Sequence, residues 1–237
     1  TFKCVFSCME FEIGPKNRFS LGLKELWAYR ELFYIFTLRD IKVKYKQTVL
    51  GFLWAVLQPL LLALTFSFFL GKAISTTANM QMPYELFAFS GLVLWGIFST
   101  GLNNAGNSMV ANANIIKKIY FPRLIIPVSA VFVGLFDFAM AFSVFLLYCL
   151  FNSVQLSVHA FWLIPLSVVL TGIATMGAGA LLAALNVKYR DFRYIIPFML
   201  QFGLYVSPVG FSSTAVPEQW RLLYSLNPMV GVIDGFR

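Results

Sequence analysis

Asp137 interrupts an otherwise uncharged run from Leu124 to Leu150. In an apolar run of membrane length, an ionisable side chain is costly. It marks a proton or ion path, or a helix–helix contact in which the acid is protonated or paired with an amide. A proton relay needs a second ionisable group, and no other long apolar run contains one. His159 is the only histidine, which leaves histidine-based metal binding or acid–base catalysis little to draw on. It reads as a loop residue. Cys4, Cys8 and Cys149 make no C-x-x-C pair and no disulfide framework, so they read as reduced thiols, one of them in the core. The chain contains no G-x-x-x-x-G-K-[ST], no H-E-x-x-H and no nucleophile elbow. No catalytic residue and no metal ligand is assigned, and an autonomous enzyme or proton-driven pump is poorly supported.

The elements that would position Asp137 are set by composition. Of 237 residues, 59% are hydrophobic and 12% charged, against about 25% charged in ordinary soluble domains. Too little polar surface remains for a soluble fold of this size, so the class is a membrane protein. A span needs about 20 mainly apolar residues. Five runs qualify or nearly do: 52–70, 86–102, 124–150, 161–185 and the shorter 194–209. Thr175, Gly179 and Ala183 form a small-residue row that lets helices approach closely.

Charge gives the orientation. Nine of the 18 Lys and Arg precede Gly51, three lie in 106–123 and three in 186–193; with the N-terminus inside, only Lys72, Arg221 and Arg237 fall outside. Fifteen against three places the N-terminus in the cytoplasm. The +8 net charge is therefore a topology signal, with no groove-sized basic face for nucleic acid.

The stretch Lys42–Lys46 alternates charge and apolar residues like a strand. A lone strand beside hydrocarbon would leave backbone groups unpaired. It is expected as helix or turn leading into the first span, with Lys42, Lys44 and Lys46 near anionic headgroups. Upstream, 20–38 reads as an interfacial helix. Leu23, Leu26, Trp27, Phe33 and Tyr34 form its apolar side, and Lys24, Glu25, Arg30 and Glu31 its polar one. In the loop 106–123, Asn112 and Asn114 can start a short helix, Ile115, Ile116 and Ile119 give it an apolar side, and Pro122 ends it. The tail 211–237 holds helix-start and breaker signals around the apolar piece 222–226, which predicts two short helices, partly re-entrant on the outer face.

Four runs then carry a resemblance: RELFYIFTLRDIKVKYKQTVLGFLWAVLQPLL (30–61), NANIIKKIYFPRLIIP (112–127), NVKYRDFRYIIPF (186–198) and YSLNPMVGVIDGFR (224–237). Together they resemble the permease subunits of ABC-2 type exporters, most of all the branch that exports O-antigen, capsule and teichoic-acid polymers. The resemblance implies an all-α polytopic helical bundle in the bacterial cytoplasmic (inner) membrane. Its cytoplasmic segment, 1–50, holds an amphipathic interface helix, and its transmembrane domain is 51–237. Five spans are visible; the resemblance implies a sixth beyond Arg237, and the absence of an initial methionine points to residues before Thr1. It also implies a permease homodimer with two copies of a separate ATPase, which binds ATP and Mg, so this chain needs no cofactor. The cargo would be a lipid-linked polysaccharide, and the other partners membrane lipids. The coupling helix would be Asn112 to Tyr120, including Asn114, Ile115, Ile116, Lys117 and Lys118. Aromatic rings suit a sugar path because they offer flat apolar faces with polar handles on Tyr and Trp. Tyr45, Trp54, Trp95, Phe98 and Tyr205 are the candidates, an interfacial aromatic belt being the alternative for each. Three rival readings are an ABC-2 exporter of small lipids or drugs, a membrane-bound sugar-modifying enzyme and a self-sufficient channel.

Overall fold

The computed structural model describes residues 23–46, 51–78, 83–152 and 159–237. Cys4, Cys8 and the predicted helix start at Ser20 lie outside these residues, as do the side chains of Leu23, Lys24, Glu25 and Lys72. The described chain is helical: α1 (Leu23–Ala28), α2 (Arg30–Lys46), α3 (Gly51–Ala78), α4 (Tyr84–Ala111), α5 (Ala113–Ile116), α6 (Ile125–Phe151), α7 (Ala160–Lys188), α8 (Phe192–Val206), a 3-10 turn at Ser213–Ala215, α9 (Glu218–Tyr224) and α10 (Pro228–Phe236). No strand occurs among the described residues. The alternating stretch Lys42–Lys46 is the last turn of α2. His159 lies in the turn that opens α7, and Cys149 is buried.

Three helices, α4, α6 and α7, are long and apolar enough to cross a membrane; α3 contributes the shorter apolar stretch Leu53–Phe69, and α8 is shorter still. This is the composition of a polytopic helical membrane protein. At the centre lies α4. Every residue from Leu86 to Trp95 is buried, because a helix that is apolar all round must be covered on all sides. It is flanked by α3, α6 and α7.

Close approach explains the seams. Thr175, Gly179 and Ala183 are all buried, and Thr175 and Gly179 meet α4. A Cβ on Gly179 would stand 2.7 Å from that of Ala105, and one on Gly101 would stand 2.7 Å from Thr175 Cγ2. The small-residue row read from the sequence is thus the α4–α7 contact.

Several predicted boundaries move. The second span, expected over 86–102, continues to Ala111, so the loop expected from Gly106 begins at Asn112. The asparagines stay helical by bonding their own helix: Asn107 Nδ2 donates to Asn103 O at 2.9 Å and Asn112 Nδ2 to Ser108 O at 2.9 Å. The first apolar helix runs to Ala78 instead of Leu70. The fifth, expected to reach Val209, stops at Val206, because Pro208 forces Ser207 into extended backbone (φ −81°, ψ 153°). With 15 residues, α8 is about 22 Å long, short of a hydrocarbon core of about 30 Å.

The interfacial helix, expected over 20–38, is described from Leu23, breaks at Tyr29 and runs to Lys46. Its packed face is Leu26, Tyr29, Leu32, Phe33 and Phe36, set around Phe121, Ile125 and Ile126. Trp27 and Tyr34, assigned to the apolar side, are 72% and 63% exposed, because they lie outside the i, i+3, i+4, i+7 row that faces α6. The tail forms two short helices as predicted. Of these, α10 buries Met229, Val230, Val232 and Ile233, whereas Leu222, Leu223 and Leu226 at and just after α9 are exposed.

Candidate functional site

A polar face runs down α4. Gly96, Thr100, Asn104, Ser108 and Asn112 recur every four residues, beside Trp95, Ser99, Asn103 and Asn107 at the same interval. That spacing keeps both rows on one side of the helix over about 24 Å. Asn186 of α7 braces the rows, its Nδ2 donating to Gly106 O at 2.9 Å and to Asn107 Oδ1 at 3.1 Å.

Opposite this face, Asp137 of α6 accepts from both Lys44 Nζ and Tyr45 Oη of α2. The acid is therefore the helix–helix contact foreseen for it, with a lysine and a phenol as partners in place of an amide. Lys44, expected among headgroups, reaches it because α2 packs along α6: Phe33 meets Phe132 at 5.0 Å and Tyr45 meets Phe136 at 5.4 Å, ring to ring. Burial, together with the Asp137 carboxylate to which it donates a hydrogen bond, pushes the Tyr45 phenol above its ordinary pKa.

Two cavities adjoin this contact. One, of about 190 Å³, is lined by Trp54, Gln58, Trp95, Ser99, Thr100 and Asp137. The other, of about 500 Å³, is lined by Arg39, Asp40, Asn103, Asn104, Asn107 and Asn112. Lys44 borders both.

Of the five aromatic candidates, Trp54 and Trp95 share the smaller cavity, and Tyr45 adjoins it through Asp137. Phe98 tilts against Trp95 at 5.4 Å. Tyr205 is 63% exposed on α8 and is not brought to the cavity, although Gly203, two residues earlier, lies against the Trp95 indole.

The segment 112–121 follows α4 directly. Its helix is one turn, Ala113–Ile116, and then loosens well before Pro122. Asn112, expected to cap it, makes no cap bond. Its amide is engaged elsewhere, donating to Ser108 O and accepting from Arg39 Nη2 at 2.7 Å. Ile115 and Ile116 pack against the Phe36–Phe121 cluster, while Ile119, assigned to the same apolar side, is 59% exposed, because the helical register ends before it. Asn114, Lys117, Lys118 and Tyr120 are exposed. Beside them a groove of about 720 Å³ is bordered by Lys117, Arg123, Arg190 and Arg193.

One residue that ties the fold together was legible in the sequence only as a loop charge. Arg237 inserts its guanidinium beside α4, donating to Phe87 O at 2.8 Å, Pro208 O at 2.7 Å and Val209 O at 2.7 Å. It lies over the Phe87 ring at 3.4 Å. Nothing in the spacing links Arg237 to Pro208, 29 positions earlier.

Comparison with known proteins gives this arrangement its family. The chain is 31% identical to an O-antigen export system permease protein, RfbA, of Klebsiella pneumoniae, over 92% of this chain and 83% of that one. It is 28% identical to the RfbA permease of Myxococcus xanthus, over 91% and 82%. It is 22% identical to the polysialic acid transport protein KpsM of Escherichia coli, over 83% and 76%. The family model described as ABC-2 type transporter matches residues 31–237. A chain with this helical core and this match belongs to the ABC-2 type transporter family, as a membrane permease, a transport subunit rather than an enzyme.

Proposed function

We propose that this chain is the membrane half of an ATP-driven exporter that carries a lipid-linked polysaccharide outward across the bacterial cytoplasmic membrane. Its N-terminus is cytoplasmic, the helices α3, α4, α6 and α7 are its spans, α8 with residues 207–209 after it makes a shorter fifth, and α9 and α10 form the outer re-entrant pair. Two copies of the permease, related by a two-fold axis, enclose the path that one bundle only half provides. Two copies of a separate ATPase bind ATP and Mg and act on the segment 112–120 from the cytoplasm.

The observation that carries this reading is the anchoring of that segment. Its exposed residues, Lys117 and Tyr120 among them, offer a surface to a partner. Its inner residues fasten it to α2 through Arg39–Asn112 at 2.7 Å and Phe36–Phe121 at 5.7 Å. A push on the segment is therefore a push on α2, and through Lys44 on Asp137. The cargo class comes from the relatives, whose names specify O-antigen export and polysialic acid transport. The hydroxyl and amide groups along α4, with Trp54 and Trp95 at one end, suit a hydroxyl-rich chain better than an apolar solute.

The test is complementation. A cell lacking its own polysaccharide permease, given this chain in full length with its ATPase, is expected to display surface polymer. Export of a small lipid with no surface polymer would overturn the cargo assignment.

A further inference from the structure

Lys44 lines both cavities and its partner Asp137 the smaller one, and this suggests what stands between them. We propose that Lys44, Tyr45 and Asp137 form a gate across a single polar track on α4, a role that rests on the export function above. On one side of the gate lie Asn103 and Asn104, and on the other Ser99 and Thr100. These are neighbouring residues of one polar helix face, so the lining runs on from one cavity to the other past Lys44. Lys44 is the side chain common to both walls.

The position of the pair fits a gate. Asp137 lies twelve residues along α6 from Ile125, which is about 18 Å from that helix end at 1.5 Å per residue. Its side chain is 14% exposed, while that of Lys44 is 42% exposed. The lysine is the more open partner, and the carboxylate the more enclosed. A carboxylate left there without donors is strongly disfavoured, so the closed state is the default and the gate opens only when other donors replace the ammonium and the phenol. Sugar hydroxyls are such donors; lipid tails are not. The gate therefore discriminates by chemistry as well as by size.

The gate also has a lever. Lys44 follows Arg39 by little more than one turn of α2, and Arg39 holds Asn112 at the start of the ATPase-facing segment. Movement of that segment is transmitted along one short rigid helix.

Thiol labelling tests this without reference to cargo. In a full-length chain assembled with its ATPase, and carrying Cys4→Ser, Cys8→Ser and Cys149→Ala, a single cysteine is placed at Asn104 or at Ser99. A membrane-impermeant maleimide is applied from the cytoplasmic side. With the pair intact, Asn104→Cys is expected to react about tenfold faster or more than Ser99→Cys, as for an open state populated at about 10% or less. Lys44→Ala and Asp137→Asn should each abolish the difference, and the swap Lys44→Asp with Asp137→Lys should restore it. Equal labelling with the pair intact overturns the gate. So does acceleration by Lys44→Ala alone, which would mean that bulk and not charge closes the track. Surface polymer measured in the same cells separates the two proposals: a wild-type chain that exports none overturns the cargo reading, while the labelling ratios still decide the gate.

Discussion

At the end of the bundle that carries α5, the charged groups that join elements bond other side chains; at the end that carries α9, Arg237 and Tyr84 bond backbone carbonyls, beside the side-chain pair Tyr148–Glu85 at 2.6 Å. The first end has Arg39 on Asn112 and Lys44 and Tyr45 on Asp137, all beside open cavities. The second has Arg237 on three carbonyls, Tyr84 Oη donating to Gly210 O at 2.7 Å, and Asn227 holding both Ser207 Oγ at 3.0 Å and the Met229 amide at 3.0 Å. Side-chain partners on separate helices can exchange donors and re-form. The carbonyls of Pro208 and Val209 lie in a buried stretch past the end of α8, and leaving one unbonded costs its full desolvation. The difference teaches that one end of this permease holds its shape while the other is arranged to rearrange.

The sharpest way to break that contrast is at Arg237. Arg237→Ala takes the guanidinium donor from the buried carbonyls of Pro208 and Val209, while Phe87 O keeps the Ser90 hydroxyl at 2.8 Å. At about 1–3 kcal/mol for each orphaned buried group, it should be the most destabilising single change, read as a large fall in Tm of the detergent-purified protein. Next comes the seam that both ends share. Gly179→Leu drives a side chain into Ala105, whose Cβ would already lie 2.7 Å from a methyl at that position. Overpacking of this kind costs about 1–3 kcal/mol and should show as aggregation in size-exclusion chromatography. At the α5 end, Arg39→Ala removes a partly exposed hydrogen bond worth about 1 kcal/mol. Thermal stability should barely move while ATP hydrolysis continues without polymer export. The smallest structural effect belongs to Lys117→Glu, an exposed change expected within about 0.5 kcal/mol of neutral, yet one that should weaken co-purification with the ATPase. Ile115→Ala sharpens the point: it loosens the segment from the Phe36–Phe121 cluster and should uncouple hydrolysis from export at normal expression. If Arg237→Ala and Arg39→Ala reduced Tm equally, the contrast between the ends would be lost.

Much of the fold was legible because hydropathy and small-residue spacing are local. The runs at 124–150 and 161–185 became α6 and α7 within a few residues, and the Thr175–Gly179–Ala183 row identified a seam. Asparagine misled the reading of α4. It is a turn former in water, but inside a bundle it bonds the carbonyl four residues back and the helix continues. The site was legible only in parts. Asp137 stood out as a lone charge, but its partners Lys44 and Tyr45 are 93 and 92 positions away, and nothing periodic joins them. Trp54 and Trp95 could be named as rings suited to sugar, whereas their meeting at one cavity depends on how α3 crosses α4. The Arg39–Asn112 bond is likewise a product of packing alone.

Site-directed crosslinking to the ATPase tests the central claim most directly. The full-length permease carrying Lys117→Cys, with Cys4→Ser, Cys8→Ser and Cys149→Ala, is co-expressed with its partner ATPase and treated with a short bifunctional thiol reagent. The account predicts a stable complex with two copies of each chain, crosslinked from position 117, and no crosslink when the cysteine is moved to Trp220 on α9. A permease that purifies alone in mild detergents, or one crosslinked from position 220 and not from 117, would contradict it.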